Sequence, residues 1–262
     1  MQIHILSCAA LLFLAGQAQA QNDLTQYREL LAEGNPAELW EMRGAEIWQK
    51  KDGPKQASLQ ACDLGKGAGV TAGAYVELPR YFADTGKVMD LEQRLLHCRI
   101  TLQGWSAAQA RAQHFGAPGK PSVMEALAAW IAGQSRGMKM AVSTAHPQEQ
   151  KTYKIGEYLF HYRAGSHDFS CASCHSSDGQ RIRMQDLPNI LRTPQAQAAY
   201  TSWPAYRVSQ GEVRSMQHRL SDCLRQQRFA QVEYGSDTIT ALTMFLAKNA
   251  NGGVFAAPAL KR

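Results

Sequence analysis

The sequence predicts a mostly α-helical protein made of two related domains in tandem. Segments with helical composition and helical spacing of apolar residues recur along the 262 residues of the chain. No long run of alternating β-branched residues indicates a large sheet. Two blocks from the first half align without gaps to two blocks from the second half. An internal duplication of a small helical domain accounts for all three observations.

The predicted elements follow from composition and from the 3.6-residue period of the apolar side chains. Ser122 and Ser236 stand at positions typical of helix N-caps. The predicted helices span residues 23–33, 36–50, 87–98, 106–114, 122–136, 150–162, 211–229 and 237–249. Residues 138–150 are the predicted linker, so we expect the two domains to comprise residues 21–145 and 146–262.

Residues 1–20 have the features of a secretory signal peptide. An apolar run is followed by Ala18-Gln19-Ala20, which matches an A-x-A cleavage site. No other stretch is long and apolar enough to span a bilayer. We therefore expect an exported protein without a membrane span, in a bacterial periplasm, where disulfides form readily.

The duplication is visible as three aligned pairs of segments. These pairs are 44–63 with 156–175, 79–98 with 204–223 and, more loosely, 126–132 with 241–247. The first pair matches Cys62 with Cys174, and the second matches Cys98 with Cys223. Chance similarity of short helices does not explain two gapless blocks in the same order, so the halves are related.

The segment Cys171-Ala-Ser-Cys174-His175 is a C-x-x-C-H motif. In an exported chain this spacing indicates covalent attachment of one c-type haem, with His175 as the proximal iron ligand. A redox dithiol or half of a zinc site is the alternative, but neither a βαβ context nor further paired ligands accompany the motif. The first half has Leu59 and Asp63 at the positions of Cys171 and His175, and it is expected to be haemless.

Several residues are candidates for the distal iron ligand, and the sequence pattern alone does not choose among them. The candidates downstream of the motif are Met184, Met216, His218, Cys223 and Met244. An ordinary electron-carrying cytochrome c would use a methionine. A methionine at helical spacing is, however, more often a core residue.

Cys223 continues an apolar stripe along its predicted helix and should face the interior. A buried cysteine is commonly a small core residue. In the first half, the matching Cys98 has Cys62 as its available partner. If these two form a disulfide, positions 174 and 223 must lie close together in the second half, which would place Cys223 at the haem.

Arg219 precedes Cys223 by one helical turn and lies on the same side. A guanidinium there favours the thiolate and can bind an oxyanion. A salt bridge to a haem propionate is the alternative, and Arg94 in the haemless half suggests a structural role as well. Thiolate ligation stabilises ferric iron, which suits sulfur chemistry better than ordinary electron carriage.

The charge distribution points to an anionic partner. The chain carries a net charge of +6, and residues 171–228 contain eight arginines, no lysine and four acids. The sequence has no interleaved aromatic and basic residues, which argues against nucleic acid. A small anion or an acidic protein fits the positive charge.

The CASCH motif and the segment RLSDCLRQQR, on a duplicated chain, resemble the SoxA family. SoxA is the catalytic cytochrome subunit of bacterial sulfur-oxidising systems, an L-cysteine S-thiosulfotransferase. The chain is similar to the single-haem branch, in which a disulfide, here Cys62–Cys98, stands in for the first haem.

The resemblance implies a heterodimer with SoxX, a small cytochrome c, that joins thiosulfate oxidatively to a cysteine of the carrier SoxYZ. It implies that His175 and Cys223 are the axial iron ligands, that Cys223 can occur as a persulfide, and that Arg219 orients the substrate. The reaction releases two electrons and one haem accepts one, so a haem-bearing partner is expected independently.

Two other functions remain open from the residues. The chain could be a non-catalytic monohaem electron carrier with Met184, Met216 or Met244 on the iron and Cys223 as a spectator. It could also be a haem-based redox or ligand sensor with Cys223 as a labile ligand.

Overall fold

The computed structural model describes residues 34–112, 122–182 and 185–261. The helices are α1 (Ala37–Gln49), α2 (Leu91–Thr101), α3 (Ala107–Ala112), α4 (Val123–Gly133), α5 (Pro147–His161), α6 (Cys171–His175), α7 (Thr193–Tyr200), α8 (Met216–Gln226) and α9 (Asp237–Asn249). The strands are β1 (Arg80–Phe82), β2 (Lys87–Met89), β3 (Arg181–Ile182), β4 (Gln185–Asp186), β5 (Ala205–Arg207), β6 (Glu212–Arg214) and β7 (Ala259–Lys261). The predicted signal peptide and the predicted helix at 23–33 lie outside the described residues.

The mostly helical fold is confirmed, and several predicted helices lie where expected. The predictions at 36–50, 122–136 and 237–249 correspond to α1, α4 and α9. Ser122 accepts a hydrogen bond from the Glu125 amide at 3.0 Å, and Ser236 accepts one from the Ile239 amide at 3.4 Å. Both serines therefore act as the predicted N-caps. None of the described helices is both long and apolar enough to cross a bilayer.

The predicted helices at 87–98 and 211–229 were too long at their N-terminal ends. Their first residues form strands β2 and β6, and the helices start at Leu91 and Met216. The side chains of Asp90 and Ser215 cap these helices by accepting hydrogen bonds from amides three residues ahead. The predicted linker was also too long, because Pro147 already begins α5.

Each repeat contains a β-hairpin of the same register directly before its cysteine-bearing helix. In the first, Tyr81 faces Val88 across β1 and β2; in the second, Tyr206 faces Val213 across β5 and β6. Each hairpin places the next helix, α2 or α8, at the same point of its repeat. Strand β7 adds to the second hairpin only, parallel to β5.

A glycine allows the same helix crossing in both repeats. A side chain at Gly44 of α1 would collide with the Ala126 carbonyl oxygen of α4, and one at Gly156 of α5 would collide with the Ala241 carbonyl of α9. The ring centres of Trp48 and Trp130 lie 5.4 Å apart in the first repeat, where the second has Phe160 and Phe245 at 5.0 Å, and both pairs of rings are tilted. These residues are matched in the sequence alignment, so the duplication extends to packing.

We expect Gly156→Ala to lower the free energy of unfolding by about 3 kcal/mol, because the added methyl overpacks a backbone-to-backbone contact. Its Cβ would also lie 2.9 Å from the Phe245 Cβ. Urea unfolding of the holoprotein measures the change. Gly34→Ala is the matched control, since a side chain there meets nothing within 4 Å. Equal midpoints for the two variants would contradict the close crossing.

The two repeats share one large core, and a smaller cluster lies beside the C-x-x-C-H motif. The shared core includes Trp48, Leu59 and Leu95 from the first repeat and Tyr200, Met216 and Met244 from the second. The smaller cluster consists of Phe160, Ile190, Leu242 and Phe245, with Cys171 and Leu220 packed against it. The motif thus adjoins an apolar wall of the second repeat.

Candidate functional site

The C-x-x-C-H motif forms the short helix α6. Ser170 caps it by accepting a hydrogen bond from the Ser173 amide at 3.1 Å, and the Ser173 hydroxyl accepts one from the Ser170 amide at 3.0 Å. This reciprocal capping box stabilises a single turn that would be marginal alone. Cys171 and Cys174 are not in disulfides. The turn therefore presents two thiols and the following histidine together.

The His175 imidazole is oriented by a backbone carbonyl. Its Nδ1 lies 2.9 Å from the Pro188 oxygen, and the Ile190 amide donates to the His175 carbonyl at 2.8 Å. With Nδ1 as the donor, Nε2 is left to bind a metal. Burial lowers the pKa of His175, and the Arg219 guanidinium lowers it further, against the Pro188 hydrogen bond. Burial and the charge of Arg219 thus favour the neutral form of the imidazole, which is the form that can bind a metal ion.

Asp178 holds the loop that carries Pro188. Its Oδ1 accepts hydrogen bonds from the side-chain amides of Asn189 at 3.0 Å and Gln195 at 3.1 Å. Its Oδ2 lies 2.9 Å from Arg192 Nε. The prediction from sequence missed these positioning residues, because no short-range pattern links Asp178 to a carbonyl that follows it by ten residues.

The first repeat anchors the start of α8. Glu92 of α2 accepts hydrogen bonds from the Ser215 hydroxyl at 2.8 Å and from the Gln217 amide at 3.3 Å. The Gln217 side chain donates to Asp90 at 2.7 Å. All four residues are buried. The helix that carries Arg219 and Cys223 is therefore held by the partner repeat.

Cys223 lies beside the C-x-x-C-H thiols. Burial raises the pKa of its thiol, and the positive charge of Arg219 opposes this rise, while nearby Cys174 and Asp222 add to it. Burial, reinforced by the neighbouring Cys223, raises the pKa of Cys171 to about 12. Arg219 itself is 35% exposed, with its Nη1 4.0 Å from Asp222 Oδ2. The structure thus gathers Cys171, Cys174, His175, Arg219 and Cys223 at one place.

The other candidate distal ligands have different surroundings. Met216 and Met244 are buried in the shared core rather than in the cluster beside Cys171. His218 Nδ1 lies 3.2 Å from Glu125 Oε1. Met184 lies outside the described residues. Among the described candidates, Cys223 is the one that interacts electrostatically with the thiols of Cys171 and Cys174.

A comparison with known protein families shows which family this chain belongs to. A family model described as "SoxA/TsdA, cytochrome c domain" matches twice, at residues 43–140 and 155–255. The chain belongs to the SoxA/TsdA cytochrome c family. The two matches also confirm the tandem duplication, because one cytochrome c domain accounts for each half.

Relatives of this family match along nearly the whole chain. The L-cysteine S-thiosulfotransferase subunit SoxA of Hydrogenophilus thermoluteolus is 48% identical, over 91% of this chain and 87% of its own length. A SoxA of Hydrogenobacter thermophilus is 31% identical over 94% of both chains. The crystal structure of SoxXA from P. pantotrophus matches with a TM-score of 0.71 and 25% identity, covering 90% of this chain and 84% of the matched chain.

A family of c-type cytochromes implies covalent haem c, and the second repeat fits it. Cys171 and Cys174 are free of disulfides and precede His175, whose imidazole is oriented so that Nε2 is available. The motif adjoins the apolar wall of the second repeat. In c-type cytochromes, the two thiols of such a motif hold the haem covalently and the histidine binds its iron, so Cys171, Cys174 and His175 would hold the group here.

The matching region of the first repeat is filled by the protein itself. Cys62 and Cys98 form a disulfide, with an S–S distance of 2.02 Å. Leu59, at the position of Cys171, is fully buried. Asp63, at the position of His175, accepts hydrogen bonds from the amides of Gly65 at 2.7 Å and Gly67 at 2.9 Å. These groups are thus engaged in a disulfide, in the core and in a turn.

Proposed function

We propose that this chain is the SoxA-type catalytic subunit of a periplasmic L-cysteine S-thiosulfotransferase. It joins thiosulfate to a cysteine of a SoxYZ carrier and passes electrons to a SoxX-type cytochrome with which it forms a heterodimer. The observation that carries the proposal is the half-buried Cys223, which lies beside the C-x-x-C-H thiols with Arg219 next to it. The proposed reaction is that of the named relatives, and the site contains the thiol and the guanidinium that this reaction needs.

Cys171 and Cys174 would hold one haem c covalently, and His175 and Cys223 would bind its iron. When bound, this group supplies a one-electron acceptor beside the reacting sulfur. The disulfide and the buried Leu59 support a haemless first half. We place the boundary between residues 145 and 146, where His146 caps α5.

The reaction defines what the protein residues must do. A carrier thiol and thiosulfate form a sulfur–sulfur bond, giving RS–S–SO₃⁻, one proton and two electrons. Cys223 holds sulfur at the reaction centre, as a thiolate or a persulfide, and Arg219 stabilises that anion. Arg219 also offers hydrogen bonds to the sulfonate oxygens. The second electron requires the partner cytochrome.

The test uses the holoprotein with a SoxX-type cytochrome, a SoxYZ carrier and thiosulfate. Intact-mass measurement should show a thiosulfonate adduct on the carrier cysteine, and absorbance should show reduction of the haems at two electrons per adduct. The control omits the carrier and should give no sustained reduction. Haem reduction without any adduct would refute transfer and support the electron-carrier alternative.

A further inference from the structure

The two equivalent arginines, Arg94 and Arg219, are neutralised differently. In the first repeat, Arg94 is 5% exposed, and its Nη1 lies 2.8 Å from Asp84 Oδ2. Its guanidinium also lies 4.1 Å from the centre of the Phe82 ring. An internal carboxylate and an aromatic ring thus satisfy this cation.

The second repeat lacks both of these groups. The hairpins align without a gap and have the same register, with four-residue loops at 83–86 and 208–211. Phe82 is replaced by Arg207, and Asp84 is replaced by Ser209. At the positions where the first repeat neutralises its arginine, the second repeat has another cation and a neutral hydroxyl.

A third cation joins this group from strand β7. Lys261 is the register partner of Arg207 in the parallel pair of β5 and β7, so the two side chains share one face of the sheet. The Lys261 ammonium lies 5.7 Å from the Trp203 ring centre, and the Arg207 guanidinium lies 6.0 Å from it. Trp203 therefore holds both cations at the same place.

Two of these cations, Arg207 and Lys261, lack carboxylate partners in the described part of the chain, whereas the Nη1 of Arg219 lies 4.0 Å from Asp222 Oδ2. Neither Arg207 nor Lys261 forms an ion pair there, and the buried Arg207 Nε has no hydrogen-bond partner there. The carboxylates of Glu212 and Asp222 have closer partners than Arg219: Glu212 pairs with Arg214, and Asp222 binds Arg225 at 2.6 Å.

The three cations also repel one another. Burial lowers the pKa of Lys261, and the charges of Arg207 and Arg219 lower it further. Burial and then Arg219 likewise lower the pKa of Arg207, against the opposing charge of Asp222. Three positive charges brought together beside partly buried surface are stabilised by a bound anion.

We propose that Arg207, Arg219 and Lys261 bind the sulfonate end of thiosulfate, in the role that the Asp84 carboxylate plays in the first repeat. This proposal rests on the proposed function. Sulfonate oxygens only accept hydrogen bonds, and the three side chains only donate them. Because Arg219 also adjoins Cys223, an anion held here directs its outer sulfur towards the reaction centre.

Ser209→Asp tests the proposal by returning the missing carboxylate. The new side chain would neutralise Arg219 as Asp84 neutralises Arg94, and it would compete with thiosulfate. We expect the KM for thiosulfate, and the Kd measured calorimetrically without carrier, to rise at least about tenfold. Ser209→Asn has nearly the same shape without the charge and should change both constants less than about twofold.

Arg207→Gln and Lys261→Gln test the cations themselves. Each should raise the Kd for thiosulfate about tenfold and leave the midpoint potential of the haem unchanged. Arg111→Gln, which removes an exposed arginine of α3, should leave the Kd unchanged. Unchanged Kd values for both site variants would overturn the proposal, as would a shifted potential with an unchanged Kd, which would show that the cations bind a haem propionate instead.

The two proposals fail separately. Wild-type holoprotein that binds thiosulfate but never modifies the carrier would refute the transferase function. Wild-type protein that modifies the carrier, with Ser209→Asp and Ser209→Asn kinetically alike, would refute the sulfonate site alone.

Discussion

Replacing Cys223 by alanine is expected to reduce thiosulfate transfer by at least about a thousandfold, because the variant loses the sulfur at the reaction centre. EPR of the oxidised holoprotein should show a low-spin thiolate signal that disappears in Cys223→Ala. Folding should survive, since Cys223 is half-buried and belongs neither to the shared core nor to the smaller cluster beside Cys171. The two readouts separate ligation from turnover.

Two further variants sharpen this experiment. Cys223→Met keeps a sulfur ligand but removes the thiolate, so transfer should be lost while a haem with two axial ligands remains. Met216→Leu alters a rival candidate in the shared core and should leave the EPR signal unchanged. An EPR signal that persists in Cys223→Ala, with turnover intact, would make Cys223 a spectator and the chain an electron carrier.

The sequence predicted well whatever depends on local pattern or on the duplication. Helix α9 has the predicted bounds because its apolar period and the Ser236 cap are both encoded within one segment. The inference that positions 174 and 223 are neighbours came from another part of the chain, through Cys62 and Cys98. An internal repeat thus gave long-range information that a single domain would not provide.

The sequence could not predict contacts that are neither local nor repeated. The anchoring of Ser215 by Glu92 spans 123 residues and crosses between the repeats. The backbone carbonyl of Pro188 orients His175, and a contact made by a backbone carbonyl leaves no recognisable residue pattern in the sequence. The hairpins were missed because their three-residue strands are too short to establish a period of two, and a helical pattern follows each directly.

The divergence between the repeats carries as much information as their similarity. At the positions that match Cys171 and His175, the first repeat has Leu59, which is a core residue, and Asp63, which stabilises a turn, and Cys62 is joined to Cys98. The second repeat keeps Cys171 and Cys174 outside disulfides, and further cations lie near its arginine. The first repeat anchors the start of α8 through Glu92, and we propose that the second repeat contains the reaction centre.

Removing the disulfide is expected to lower the free energy of unfolding by about 4 kcal/mol, because the bond closes a loop with a sequence separation of 36 residues. The variant is Cys62→Ala with Cys98→Ala, since both sulfurs are buried and alanine adds no buried hydroxyl. Urea unfolding of the holoprotein measures the loss as a lower midpoint.

The same variant tests whether the disulfide affects only the stability of the first repeat or also the haem site of the second. The haem absorption and the EPR signal of the folded protein should match the wild type, because the disulfide lies in the first repeat and touches none of the proposed haem ligands. A loss below about 1 kcal/mol would mean that the packing of Leu59 and Leu64 holds the first repeat without the bond. A changed haem signal would mean instead that the disulfide acts through α2 and Glu92 on the start of α8, and that the two repeats are coupled at the reaction centre.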